Sequence, residues 1–291
     1  MGFFVLEDSN MIIHRILNNN VIITLDKDEK ECVVCGKGIA FKKKIGDEVD
    51  SKEVNKVFVL KDQGMNEKFK QLLLNIPLDH VKLADEIIHL AETKLGKRLN
   101  DSLIISLSDH IYTAISRYLE GISMKSAMIW DIKRFYEDEF EIGMNALDMI
   151  EELFKVRLPD DEAGFIALHI VNAEMDESNM EQIIDITRIM QEISNIVKYY
   201  FRVEFDTNSV YYYRFITHLK FFAQRLVLGK TIDDESNDGL LDVVKIKYHT
   251  SYKCVGKIND YIKSKYNYEL SPEEQLYLTI HIERVIYKTK L

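Results

Sequence analysis

Four of the eight histidines in this 291-residue chain fall into two matched sets. Aligning "SDHIYTAISRYLEG" with "ITHLKFFAQRLVLG" sets His110 against His218, Arg117 against Arg225 and Gly121 against Gly229, at an offset of 108. Aligning "LPDDEAGFIALHIVNA" with "LSPEEQLYLTIHIERV" sets His169 against His281 at an offset of 112. The second alignment also pairs Leu158 with Leu270, Asp161 and Glu162 with Glu273 and Glu274, and Phe165 with Tyr277. Two similar offsets point to a duplicated module of roughly 110 residues, each copy carrying two histidines.

A single histidine on an apolar helix face is as a rule a satisfied core or surface residue. His14, His80, His89 and His249 have no repeat counterpart and keep that reading. For the repeated four, three chemistries are open. Metal binding favours histidines three or four apart or an HExxH pattern, and the sequence has neither. Hydrolysis by a Ser–His–Asp set would need a nucleophile, and no GxSxG elbow marks one. Phosphorylation of the imidazole itself is the third, since histidine can act as a nucleophile. Arg117 and Arg225 suit it: each lies seven residues, two helical turns, beyond a histidine on the same face. A guanidinium there could meet an added phosphoryl group. The plainer role for these arginines is an ion pair, for instance with Asp109 or Glu120.

The elements that carry these residues read as helices. Pro77 can open a helix at its first turn. "VKLADEIIHLAETKLG" then spaces apolar residues by three and four, with Gly96 as a stop. "LIISLSDHIYTAISRYLEG" repeats the pattern and ends at Gly121, and further helical runs follow to the C-terminus. Three prolines in the whole chain agree with long helices.

The first 60 residues differ in texture. "MIIHRIL", "VIITL", "CVVC", "IAF" and "VFVL" are short, rich in Val and Ile, and broken by "NNN", "DKDEKE", "GKG" and "KKKIGDEVD". They predict a small antiparallel β domain of about 50 residues, marginal on its own and therefore expected to self-associate. Cys32 and Cys35 form a CxxC without two further ligands at matching spacing, so they read as small apolar strand residues. The Asn18-Asn19-Asn20 run reads by itself as a turn, because Asn tolerates left-handed backbone.

Net charge is −10, which argues against a polyanionic partner for most of the chain. Residues 11–60 are the exception, with nine Lys and Arg against eight Asp and Glu. No uninterrupted apolar run of about 18 residues occurs, and the start "MGFFVLEDSN" lacks the basic lead of a signal peptide. A cytoplasmic location is expected.

Taken together, these blocks resemble the BglG/SacY-type transcriptional antiterminators of bacterial sugar utilisation. "ILNNNVI" and "GKGIAFKKKIGDEVD" are similar to the co-antiterminator RNA-binding domain. "SDHI", "LPDDEAGFIALHIVNA", "YRFITHLKFFAQRL" and "YLTIHIERV" are similar to two successive PTS regulation domains. The resemblance implies a multidomain chain: a small all-β antiparallel domain at 11–65, then two all-α helical-bundle modules at 66–173 and 174–291, with residues 1–10 as an N-terminal extension. It implies a homodimer that holds a leader-mRNA antiterminator hairpin and so prevents terminator formation. Phosphorylation is implied at His110, His169, His218 and His281, with Arg117 and Arg225 as phosphate partners. The implied donors are the phosphocarrier HPr and a sugar-specific PTS transport component, typically activating through the second module and inactivating through the first. RNA contacts are implied at Asn18, Asn20, Gly36, Lys37, Gly38 and Phe41, with Arg15, Lys42, Lys43 and Lys44 facing phosphates. No catalytic residue, metal or cofactor is implied. Two other readings compete. A DNA-binding activator bearing the same helical modules would need a helix-turn-helix where residues 11–60 show strands. An enzyme would need a nucleophile motif or phosphate loop that the chain lacks.

Overall fold

The runs "VIITL" and "CVVC" are apolar without alternation, the pattern of strands covered on both faces. The computed structural model describes residues 11–26, 29–58, 63–175, 179–229 and 239–289. The expected extension at 1–10 lies outside the described residues, as do residues 59–62. Strands β2 (Arg15–Asn18), β3 (Val21–Leu25), β4 (Glu31–Cys35) and β6 (Lys56–Phe58) form an antiparallel sheet in the order β2-β3-β4-β6. β1 (Met11–Ile12) pairs with β5 (Glu48–Val49) in a two-stranded antiparallel ladder.

The register explains the unbroken apolar runs. Ile22, Val34 and Val57 are cross-strand neighbours on one face of the sheet. They pack with Met11, Ile13, Ile39, Ala40 and Val49. Ile23, Val33 and Phe58 line the opposite face. There the Phe58 ring meets Phe69 of helix α1 (Gln63–Asn75) edge to face at 5.0 Å. The second face of the small sheet is thus covered within the chain. Lys70 of α1 reinforces the contact by pairing with Glu31 and with Glu67. The triplet "IAF" is not a strand. Ile39, Phe41 and Lys43 close successive turns onto Gly36, Gly38 and Ala40, which bury Ile39 and leave Phe41 in solvent.

The remaining helices are α2 (Leu78–Leu95), α3 (Leu103–Leu119), α4 (Ile129–Phe135), α5 (Glu137–Phe154), α6 (Asp161–Glu174), α7 (Met180–Phe201), α8 (Val210–Leu228), α9 (Leu240–Lys247), α10 (His249–Tyr266) and α11 (Pro272–Thr289). Gly96 and Gly229 end α2 and α8 in left-handed conformation (φ 65° each), where a side chain would be strained. Pro77 caps the start of α2.

Packing divides the chain into two units, residues 1–126 with 138–176, and residues 127–137 with 177–291. In the first, α3 packs on α2 and α6. In the second, α8 packs on α7 and α11, and α10 on α11. The short helix α4 belongs with the second unit. Its Arg134 guanidinium lies 5.4 Å from the Phe205 ring and 4.9 Å from the Tyr212 ring, and Tyr136 shares a buried hydrogen bond with Thr187 at 3.1 Å.

Helix α6 is seated by a close approach. A Cβ on Gly143 of α5 would fall 2.3 Å from the Ala163 carbonyl oxygen. Gly256 of α10 faces open space instead. Gly143→Ala is therefore expected to lower stability by about 2 kcal/mol through overpacking. Gly256→Ala, in an exposed helix interior, should raise it by about 0.5–1 kcal/mol. Urea unfolding midpoints of the two variants check both signs.

Candidate functional site

Helices α3 and α6 bring the first histidine pair together. His110 and His169 stand with ring centroids 5.0 Å apart. Between His110 and Arg117, two turns later on α3, sits the carboxylate of Glu162 from the first turn of α6. It accepts from Arg117 Nη2 at 3.2 Å through one oxygen, and its other oxygen lies 3.1 Å from His110 Nε2. That second contact is close but too poorly aligned to count as a hydrogen bond for either atom. Arg117 thus pairs across the helix crossing with Glu162, not with its neighbours Asp109 or Glu120. Its Nε, and His169 Nδ1, are buried without a hydrogen-bond partner.

Helices α8 and α11 repeat the arrangement with His218 and His281, whose ring centroids are 4.0 Å apart. Arg225 Nε is again buried without a partner. The equivalent carboxylate, Glu274, is held differently. It accepts from the Tyr268 hydroxyl at 2.9 Å and the Ser271 backbone N–H at 3.0 Å, while Arg225 stands 4.0 Å away. At the repeat offset the first module has Val156 and Pro159, whose side chain and nitrogen respectively have no proton to give. Glu162 is free to turn to Arg117 and His110 for that reason. A second difference concerns the ring beside the pair. Tyr277 places its hydroxyl 2.6 Å from His218 Nδ1, whereas Phe165 only lies against His110 at 6.0 Å between centroids.

Burial favours the neutral form of His169, His218 and His281. His169 is pushed down to about 3 by burial and then by the neighbouring His110. His281 is pushed down to about 4 by burial, then by His218, Arg284 and Arg214, and His218 is lowered by burial and Arg214. At neutral pH these three imidazoles are uncharged, the form that carries a nucleophilic lone pair. Arg214 and Arg284 were missed in the sequence. The signal was present, since Arg214 precedes His218 by one turn and Arg284 follows His281 by one turn. The first module has Ser106 and Asn172 at the matching positions.

The N-terminal domain places the other candidate residues on connected turns. Asn18 Oδ1 accepts from the Asn20 N–H at 2.8 Å, an Asx turn that carries the chain from β2 to β3. The Asn18 amide also donates to the Leu73 carbonyl of α1 at 2.9 Å. Asn20 Oδ1 accepts from the Gly38 N–H at 2.8 Å, and the Asn20 carbonyl accepts from the Gly36 N–H at 2.9 Å, tying the asparagine turn to the "GKG" loop. Gly38 needs its positive φ of 69°. Gly36 is required by the fold, because a Cβ would fall 2.0 Å from the Glu53 carbonyl oxygen. Lys37 donates its backbone N–H to Asn55 at 3.1 Å. Phe41 is 60% exposed, with the Lys42 ammonium 5.3 Å from its ring centre. Lys43 is paired with Glu53, and the Lys44 N–H donates to Asp47 at 2.7 Å. Arg15, at the start of β2, is exposed. Cys35 is buried and its thiol is pushed up to about 12 by burial, so it remains a thiol at neutral pH. No helix among the described residues is long and apolar enough to cross a membrane.

Comparison with known proteins bears on this arrangement directly. Residues 11–67 match the family described as CAT RNA binding domain, and residues 85–173 and 191–285 each match the PRD domain. The chain is 52% identical to "Transcription antiterminator LicT" of Bacillus subtilis (strain 168) over 276 residues, covering 95% of this chain and 99% of that protein. It is 48% identical to "Beta-glucoside operon antiterminator" of Dickeya chrysanthemi, over 94% of this chain and 96% of that one. "GlcA/glcB genes antiterminator" of Staphylococcus carnosus (strain TM300) shares 33% identity over 94% and 95%. The chain belongs to the BglG/SacY-type transcriptional antiterminators. Its small sheet is their RNA-binding domain, and the duplicated helical modules are their two PRDs.

Buried His169 in the first PRD is expected to make the antiterminator sensitive to acid. An unfolded histidine titrates near its ordinary value of 6.5, while folded His169 does so at about 3. Between these values the unfolded chain binds more protons, so stability falls as pH drops from 6.5 towards 3. At about 1.4 kcal/mol per pH unit per proton, His169 alone should cost on the order of 1–2 kcal/mol between pH 6.5 and pH 5. His169→Gln should flatten this part of the stability–pH curve, measured by urea unfolding in a pH series.

Proposed function

We propose that this antiterminator grips a leader-RNA hairpin through the asparagine turn at 18–20 and the loop at 36–44, and that phosphoryl groups on its paired histidines control the grip. The observation that carries the control is present twice: two facing imidazoles beside an arginine whose buried Nε has no partner. A phosphoryl group brings three acceptor oxygens and about two negative charges, which suit such a donor. His110, His169, His218 and His281 are the acceptors in this reading, with Arg117 and Arg225 as phosphate partners. HPr serves the second module, a sugar-specific transport component serves the first, and the active form is a homodimer in the cytoplasm.

On the RNA side, exposed Phe41 offers a ring to an unpaired base, and Asn18 and Asn20 offer base edges the amide capacity left over from their internal bonds. Arg15, Lys42 and Lys44 meet phosphates in this reading, and Lys37 joins the contacts of the 36–44 loop. Lys43 must leave Glu53 to join them. Two chains present two copies of a domain with little net positive charge, which favours a dimer as the binding form. Binding to a leader-RNA hairpin against duplex DNA of the same sequence tests this. The hairpin should bind at least tenfold tighter, and equal or tighter DNA binding would contradict the reading.

A further inference from the structure

The two histidine pairs are not equivalent, and the second contains a contact that the first cannot make. Tyr277, one helical turn before His281 on α11, packs against both imidazoles. Its ring lies 4.6 Å from that of His218 at 86° and 4.7 Å from that of His281 at 59°. Its hydroxyl is 2.6 Å from His218 Nδ1 and 3.4 Å from Nε2. Tyr277 is 44% exposed, so the contact lies at the edge of solvent. In the first module the same position is Phe165, and His110 faces the Glu162 carboxylate through Nε2. In the second, Tyr268 and Ser271 hold the carboxylate of Glu274. The group that meets the histidine changes from a carboxylate at Nε2 to a phenol at Nδ1.

We propose that Tyr277 is a positioning residue that occupies Nδ1 of His218 and directs phosphoryl transfer to Nε2. This deepens the reading of His218 as an acceptor and rests on it. In the reacting tautomer Nδ1 carries the proton and donates it to the Tyr277 oxygen, leaving the lone pair on Nε2. That lone pair forms the new N–P bond as the donor's P–N bond breaks. The leaving nitrogen departs with the electron pair, and the ring becomes an imidazolium whose Nδ1–H rests on the tyrosine oxygen. The ring then gives that proton to solvent, and the leaving nitrogen takes one up. Burial, and then the nearby charge of Arg214, favour neutral His218 beforehand, and the same positive charge favours the dianion afterwards. A phenol, unlike a carboxylate, orients the ring without setting a negative charge against the incoming phosphoryl group.

The test uses the full chain and potassium phosphoramidate, a small donor that needs no protein docking. Phosphorus and nitrogen NMR then separate the Nδ1 and Nε2 phosphoisomers, with the His218 signals assigned through His218→Gln. The wild type should form only the Nε2 isomer at His218. Tyr277→Phe keeps the ring packing and matches the first module, so it should fold. It should accept at Nε2 about tenfold more slowly and form the Nδ1 isomer as well, with the rate at His110 unchanged as internal control. An unchanged isomer and rate in Tyr277→Phe, or Nδ1 product in the wild type, would overturn the role of Tyr277 while leaving His218 an acceptor. No phosphoryl group on wild-type His218, from phosphoramidate or from phosphorylated HPr, would overturn the acceptor reading and this inference with it.

Discussion

Gly36→Ala should lower the stability of the RNA-binding domain by about 3 kcal/mol and weaken hairpin binding at least tenfold. The added methyl would fall 2.0 Å from the backbone oxygen of Glu53, a group that cannot swing aside as a side chain would. Relief requires the turn at Gly36 to move. That turn donates its N–H to the Asn20 carbonyl, and two residues later Gly38 donates to the Asn20 side chain. The asparagine turn at 18–20 and the loop at 36–44 therefore shift together. Urea unfolding and hairpin titration of the same variant separate the two effects. Loss of stability without loss of RNA affinity would mean that the loop at 36–44 does not touch RNA. Asn18→Ala should behave differently, weakening RNA binding and also loosening α1, since its amide holds the Leu73 carbonyl.

Glu162→Ala should cost about 2–3 kcal/mol, the lower part of the range for breaking a buried ion pair because Arg117 is partly exposed. The carboxylate is almost fully buried, and its removal leaves the guanidinium without the partner that it reaches at 3.2 Å. His110 loses a carboxylate 3.1 Å from Nε2 in the same step. Glu162→Gln keeps an oxygen for Arg117 and should recover part of the loss. Thermal and urea unfolding of the two variants give the comparison. Equal stability of Glu162→Ala and wild type would show that the contact seen between Glu162 and Arg117 contributes nothing.

The sequence carried much of this. Helix ends at Gly96 and Gly121, the opening at Pro77 and most of the short strands before residue 60 are local signals that produced the elements they announce. The repeat located the four histidines because both copies kept them. Other features depend on contacts between distant segments. The triplet 39–41 looked like a strand by composition, but Gly36 and Gly38 turn the chain too tightly for one. The β domain read as marginal on its own because the element covering its second face, α1, follows it in sequence as an ordinary amphipathic helix. Arg117 had acids nearby in sequence, yet its partner is 45 residues away, brought in by the crossing of α3 and α6. The exchange of Phe165 for Tyr277 was visible in the alignment. Its meaning came only when the hydroxyl was found on His218 Nδ1.

The most direct measurement of the central claim is the affinity of the full chain for its leader-RNA hairpin before and after phosphorylation with phosphoenolpyruvate, enzyme I and HPr. The account predicts at least a tenfold gain in affinity on phosphorylation, lost when His218 and His281 are both replaced by alanine. Equal affinity of the phosphorylated and unphosphorylated wild-type chains would contradict it.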